Sequence, residues 1–256
     1  GGYIVAGWTY SYITREDIYI LKLNSKGEIE WEKTFGSEDY DDAVNSIQQT
    51  TDGGYIVAGW TGPFGSGGGD VYILKLNSKG KVEWQKTFGG KYYEGANSIQ
   101  QTKDGGYIVA GWTDSFGSGE KDVYILKLSS KGDLEWQKTF GGKKDDGAEL
   151  IQQTADGGYI VAGWTGPFGS GLEDVYILKL NSKGEVQWQK TFGGKAYDEA
   201  NSVQQTTDGG YIVGGSTNSF GSGGYDVYIL KLNSKGEVEW QKTFGGEGSD
   251  GAMSIQ

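Results

Sequence analysis

The chain has 256 residues with 23 basic and 34 acidic side chains, a formal net charge of −11, and it contains 47 Gly, 2 Pro and neither Cys nor His. Without Cys or His there can be no thiol nucleophile, disulfide, thiolate or imidazole metal site, or Ser-His-Asp triad. The acidic balance argues against binding the phosphate backbone of nucleic acids, which is held by clustered Lys and Arg, and the longest apolar runs, such as residues 3–6, are far too short to enter and span a bilayer.

The sequence Gly-Gly-Tyr-Ile-Val opens the chain at Gly1 and returns at Gly53, Gly105, Gly157 and Gly209, each 52 residues after the last. A fixed period of this size marks a solenoid or a propeller. Residues 1–35 are predicted to hold three strands, and each later period holds four. Residues 96–140 show the pattern. Residues 96–102 (ANSIQQT) form a small, partly polar strand and lead through Lys103-Asp104-Gly105 to a second strand at 107–113 (YIVAGWT). A glycine-rich loop at 114–121 follows, then a third strand at 123–128 (VYILKL), the turn Ser130-Lys131-Gly132, and a fourth strand at 134–140 (LEWQKTF). Tyr, Ile, Val, Thr and Trp between Gly, Asp and Ser turns are the residues strands prefer. The third strand is apolar on both faces, whereas the fourth alternates, with Val82, Trp84 and Phe88 against Glu83, Gln85 and Thr87. That combination suits a covered inner strand and a half-exposed outer one.

The last strand expected is 252–256, at the very end of the chain. The chain falls four residues short of five full periods, and the missing four are one turn. The expectation is therefore an all-β, five-bladed β-propeller of four-stranded antiparallel blades, forming a single domain over 1–256. The ring would close by pairing the C-terminal inner strand with the N-terminal three strands. An open five-unit stack is the alternative.

The stretch 71–88, VYILKLNSKGKVEWQKTF, resembles the tryptophan-docking repeat of PQQ-like propellers. There, a turn ending in Gly (Gly80 here) is followed four residues later by Trp (Trp84), although Lys79 stands where that family usually has Thr. All five copies carry the resemblance, and they are similar to repeats of secreted and surface proteins of bacteria and archaea. The resemblance implies a fold and no activity, because nothing here matches the cofactor-binding residues of quinoprotein dehydrogenases. Five blades are also similar in number to tachylectin-like sugar binders.

Several side chains recur once per copy. Trp31, Trp84, Trp136, Trp188 and Trp240 are expected to pack between blades, with a ligand platform as the alternative. Asp17, Asp70, Asp122, Asp174 and Asp226 precede the third strand, where they would bond local backbone amides or, alternatively, ligate calcium. Asp42, Glu94, Asp146, Asp198 and Asp250 precede the inner strand and are expected at one mouth of the channel. They would serve there as turn acceptors or a solvated rim, or as a ring that concentrates cations. The long loops share that face, and their tips carry Tyr12, Phe64, Phe116, Phe168 and Phe220, either exposed for contact or tucked under their own loops. Gln48, Gln100, Gln152, Gln204 and Gln256, beside Ser46, Ser98, Ser202 and Ser254, are expected to serve strand packing. The glycine runs lack a following helix and a Gly-Lys-Ser/Thr, so they are not phosphate loops.

These features are read as a non-enzymatic binding or scaffolding module with no cofactor beyond calcium and with a protein or glycan as partner. A multivalent lectin is the alternative, and a hydrolase using two rim acids in the channel ranks third. The expected state is a monomer, and near-identical blades open a route to a strand-swapped dimer. The chain does not begin with Met and shows no signal peptide, as for a mature or excised segment. The expected setting is extracellular or at the cell surface.

Overall fold

The computed structural model describes residues 1–11, 15–36, 40–62, 67–166 and 172–256, and among these it holds strands and turns with no helix. Strands β1 (Gly2–Ser11), β2 (Arg15–Asn24) and β3 (Ile29–Phe35) make a three-stranded sheet. Four four-stranded sheets follow. The first comprises β4 (Asp42–Gln49), β5 (Tyr55–Thr61), β6 (Asp70–Leu76) and β7 (Val82–Phe88). The next holds β8 (Glu94–Gln101), β9 (Tyr107–Thr113), β10 (Asp122–Leu128) and β11 (Leu134–Phe140). Then come β12 (Asp146–Gln153), β13 (Tyr159–Thr165), β14 (Asp174–Leu180) and β15 (Val186–Phe192), and last β16 (Asp198–Gln205), β17 (Tyr211–Thr217), β18 (Asp226–Leu232) and β19 (Val238–Phe244). Within every sheet the strands lie in chain order, as successive hairpins require.

The predicted strands at 107–113 and 134–140 coincide with β9 and β11, and β8 and β10 begin one or two residues before the expected positions. The extra residues are the acids, which already pair across the sheet: Glu94 stands opposite Thr113 and Asp174 opposite Thr165. Residues 252–256 form no strand, and the fourth strand expected for the first sheet is not formed.

Residues Gly1–Phe116 and Ile125–Gln137 pack as one compact unit, and Gly117–Tyr124 and Lys138–Gln256 as another. The core of the first includes Ile18 and Ile20 of β2, Tyr55 and Val57 of β5, and Tyr72, Leu74 and Leu76 of β6, with Trp31 and Phe35 against them. In the second, Val175 and Ile177 of β14 meet Ala200, Val203, Tyr211, Val213, Tyr228 and Leu230 of the following sheet, with Trp188 and Phe192 packed alongside. Third strands such as β6 are buried on both faces, while outer strands such as β7 are half-exposed.

Trp31, Trp84 and Trp188 of the fourth strands dock on the next sheet. Trp31 meets Tyr55 edge to face at 5.8 Å between ring centroids and donates its indole N–H to the Ser78 carbonyl at 3.2 Å. Its ring lies so close over Gly80 that a Cβ there would stand only 2.9 Å from it, and Gly80 also has φ +72°, a backbone that glycine adopts without strain. Trp84 repeats the arrangement with Tyr107 and Gly132, and Trp188 does so with Tyr211, the Ser234 carbonyl and Gly236.

Inner strands are tied from sheet to sheet by side chains. Asn45 donates to the Ala96 carbonyl at 2.9 Å, Ser46 Oγ accepts from Ile99 N–H at 3.2 Å, and Gln48 Oε1 accepts from Gln101 N–H at 2.7 Å. The polar residues of ANSIQQT thus satisfy backbone groups that no strand neighbour reaches.

Candidate functional site

The end of the sheets that carries the second-to-third and fourth-to-first loops is laced together by backbone bonds. Gly62, Asp114, Gly166 and Asn218 each donate to a carbonyl of the fourth-to-first loop, those of Asp41, Tyr93, Asp145 and Tyr197 respectively, at 2.6–3.0 Å. The acids that follow donate their own N–H groups backwards: Glu94 to Gly69, Asp146 to Lys121 and Asp198 to Glu173, at 2.7–2.8 Å. The loops that end at Tyr93, Asp145 and Tyr197 are therefore each clamped between two second-to-third loops.

The two acidic sets, separated by 24 or 25 residues in sequence, meet beneath these loops. The place a Cβ would take on Gly89 is filled by carboxylate oxygens of Asp70 and Glu94, that on Gly141 by Asp122 and Asp146, and that on Gly193 by Asp174 and Asp198. Asp17 with Asp42, and Asp226 with Asp250, flank Gly36 and Gly245 likewise. Only a glycine leaves room for the pair. The inner acids accept from the backbone: Glu94 from Gly90 at 2.7 Å, Asp146 from Gly142 at 2.7 Å, Asp198 from Gly194 at 2.8 Å. Glu94 also takes the Thr113 hydroxyl at 2.8 Å, and Asp198 takes the hydroxyls of Thr217 and Ser219. Asp122 accepts from Ser118 and Gly119, and Asp226 from Ser222, as expected for loop-bracing carboxylates.

Asp42, Glu94, Asp146 and Asp198 are buried to 1% exposure or less, which corrects the expectation of a solvated rim; only Asp250 is exposed. Burial followed by the like charge of Glu94 pushes the Asp70 carboxyl up, and burial with Asp198 does the same to Asp174. Asp146 is raised chiefly by burial, with Asp122 and Asp145 adding to the effect. Among the described residues no group of three or more His, Cys, Asp or Glu is arranged to hold a metal ion. The calcium alternative at the first acidic set is therefore left with carboxylate pairs.

Of the loop-tip aromatics, Tyr12, Phe64 and Phe168 lie outside the described residues. Phe116 is half-buried, and Phe220 is 37% exposed and leans on Tyr228 of β18 at 5.7 Å between centroids. More exposed aromatics stand on the neighbouring loops. Tyr40, Tyr92, Tyr93 and Tyr197 all stand on the fourth-to-first loops with 40–59% of their surface exposed, and Lys91 Nζ lies 5.1 Å from the ring centre of Tyr92. Their signal in the sequence is divergence between copies: the corresponding loops read SEDYDD, KYYEG, KKDDG, KAYDE and EGSDG.

One blade departs from the repeat in a compensated way. Gly95 and Gly147 lie flat under Trp112 and Trp164, where a Cβ would come within 3.0 Å of the indole. At the fifth copy Ser216 replaces the Trp, and Glu199 fills the vacated space and accepts the Ser216 hydroxyl at 2.8 Å. Beside it Glu149, in place of the usual Asn, accepts from the Trp164 indole at 3.1 Å, and burial with the nearby Glu199 charge raises its carboxyl.

Among the described residues no helix is long and apolar enough to cross a membrane. The family described as "Domain of unknown function (DUF5122) beta-propeller" matches residues 206–239. Regulatory protein FlaEY of Caulobacter vibrioides is 27% identical over 227 residues, covering 78% of this chain, which spans 23% of that protein's length. Among solved structures, the Neurospora crassa Pan2 WD40 domain is similar with a TM-score of 0.57 at 12% identity over 93% of this chain and 66% of that one. Sqt1 from Chaetomium thermophilum is similar with a TM-score of 0.54 at 14% identity over 99% of this chain and 60% of that one. Identity this low carries the fold alone: the chain is a β-propeller repeat protein, and it is shorter than each of these relatives.

Proposed function

We propose that this chain is a non-enzymatic binding or scaffolding module of an extracellular or cell-surface protein, and that it contacts a protein partner through its long-loop face. The observation that carries the reading is the set of exposed tyrosines, Tyr40, Tyr92, Tyr93 and Tyr197, the last three on loops whose backbones are clamped from both sides. A tyrosine brings a large amphipathic surface to an interface, and a clamped backbone lowers the ordering cost of using it. The chemistry beneath supports recognition over catalysis. The paired carboxylates are engaged by loop amides and hydroxyls, and no His or Cys is present to activate a nucleophile. The extracellular setting rests on the resemblance of the repeats to those of secreted and surface proteins.

The test is affinity capture from the native source with the whole chain as bait, beside the double variant Tyr92→Ala/Tyr93→Ala. Partner retention at least tenfold weaker, with an unchanged melting curve, is the expected result. Equal retention by both baits would overturn the reading.

One observation favours a glycan over a protein. A cleft of about 230 Å³ beside Tyr197 is lined by Glu120, Lys144, Asp145, Leu172 and Glu173, an aromatic face among polar groups. Saturable binding on a glycan array, abolished by Tyr197→Ala, would establish the lectin alternative instead.

A further inference from the structure

The carboxylate pair of Asp122 and Asp146 differs from two of its counterparts in what caps it. Both acids and Thr165, which stands opposite Asp146 across the ladder, lie in the second compact unit and are buried to 2% exposure or less. In the adjoining copies the threonine at this place donates its hydroxyl to the inner acid, Thr113 to Glu94 at 2.8 Å and Thr217 to Asp198. Thr165 instead donates to the Gly166 carbonyl at 3.1 Å. Asp146 Oδ2 keeps the Gly142 amide at 2.7 Å, but Asp146 Oδ1 is buried with no hydrogen-bond partner. The Thr165 hydroxyl remains beside this carboxyl, where it offsets part of the rise that burial causes.

A buried carboxylate oxygen without a donor costs the hydration it gave up, and a second buried carboxylate adjoining it adds repulsion. Asp146 Oδ2 and Asp122 Oδ1 both stand within 2.5 Å of the place a Cβ would take on Gly141, so the two groups share one small space. Asp122 Oδ2 is engaged at 3.0 Å by the amides of Ser118 and Gly119, and its Oδ1 is the oxygen that approaches Asp146. A cleft of about 350 Å³ opens beside the pair and is lined by Asp122, Thr139, Gly141 and Tyr176. The Tyr176 phenol registers both charges, being pushed up to about 12 by burial and then by Asp146 and Asp122.

We propose that Asp122, Asp146 and Thr165 hold a calcium ion. Calcium takes about six to eight oxygen ligands in a flexible arrangement and accepts carboxylates and waters together. The two carboxylates supply the charge. Thr165, with its proton turned to Gly166, supplies a lone pair, and water from the cleft completes the shell. Magnesium suits the place less, because it demands near-octahedral geometry and dehydrates reluctantly. Among the described residues no third acid joins the pair. The affinity should therefore fall in the range of extracellular calcium modules, about 10⁻⁴–10⁻³ M. At the pairs of Asp70 with Glu94 and Asp174 with Asp198 a hydroxyl proton already occupies the inner oxygen, so these are not sites. The calcium site does not depend on the function proposed above.

Titration calorimetry of the metal-stripped whole chain with calcium chloride tests this. Uptake should be saturable. Asp122→Asn should weaken it at least tenfold and Thr165→Val at least threefold, each keeping the far-ultraviolet circular dichroism of the parent. Thr165→Val retains both carboxylates and the side-chain shape, so it reports on the site even where Asp122→Asn weakens the fold. Calcium should raise the melting temperature of the parent and leave that of Asp122→Asn where it was. Asp174→Asn, at a capped pair, should bind calcium as the parent does. Absence of saturable uptake up to about 10 mM calcium overturns the proposal. Uptake by Asp122→Asn and Thr165→Val equal to that of the parent overturns it too, as does an equal loss in Asp174→Asn.

Discussion

Lys127 stands next to last in β10, buried, in a strand whose other residues are almost all apolar. Its ammonium lies 3.0 Å from Asp104 and 3.2 Å from Glu135 and donates to the Leu128 carbonyl at 3.1 Å. Lys75 and Lys179 are placed alike, on Asp52 and Glu83 and on Asp156. Nothing in VYILKL as a string distinguishes this lysine from a solvated one; the carboxylates that receive it come from the two neighbouring turns and strands. Replacing Lys127 by Ala removes the cation and leaves a void, and it should cost about 3 kcal/mol in urea unfolding. Lys127→Met, which keeps the volume, should cost roughly half as much. A loss below about 1 kcal/mol for the alanine variant would show that water replaces the ammonium freely.

Carboxylates at the two ends of the sheets act on stability in opposite directions. Asp70 and Asp174 bind their protons more tightly in the folded chain than in the unfolded one. Their contribution is fully present below the ordinary carboxylate value of about 3.9 and is lost as pH rises through the raised folded value. Asp52 is held at about 2, first by the Thr50 hydroxyl and then by Lys75 and the Gly54 amide. Asp104 and Asp156 are also held at about 2, where hydrogen bonds from a threonine, a lysine and a glycine amide outweigh burial. These three contribute above the ordinary value, and that contribution is lost as pH falls through about 2. The melting temperature should therefore peak in mild acid and decline toward neutrality. Asp70→Asn/Asp174→Asn should flatten the decline and stabilise the neutral protein, and an unaltered slope would exclude the carboxylate pairs as its source.

At the scale of single elements, the second strand shows which features of the sequence were legible and which were not. YIVAGWT is readable as a strand from its composition, but its glycine is unexplained until the partner is seen. The register of β8 on β9 shifts between Ala96 and Ser98, and a Cβ on Gly111 would run into the Gly95 carbonyl. The bulge draws the inner strand inward, and only glycine allows it. Gly111→Ala should destabilise the chain by roughly 2–3 kcal/mol because the obstacle is backbone and cannot rotate away. A neutral effect in a thermal melt would mean that the bulge relaxes. The outer strands were legible in part: Trp84 and Phe88 keep the half-buried face of β7, whereas Val82 and Leu134 at the strand starts are exposed, where the register shifts. The loop tips were less so. Phe116 and Phe220 have the same composition whether tucked or displayed, and the ring of Tyr228 decides the matter for Phe220.

For the whole molecule, stability should follow the number of covered edges. The amides of β1 should exchange with deuterium faster than those of β5 and β9, whose sequences nearly repeat it, because β1 pairs only with β2 among the described residues. Equal protection of the three strands would show that β1 is covered in solution. By itself the sequence determined the all-β class, the five copies, the four-strand pattern and the tryptophan docking, because period, alternation and turn residues are local and each copy states them again. Only the tertiary structure decided that two acidic sets 24 or 25 residues apart come together in pairs, that the strand lysine is interior, and that the fourth-to-first tyrosines are displayed. Those outcomes depend on which groups from separate strands arrive at one place, and no local pattern records that.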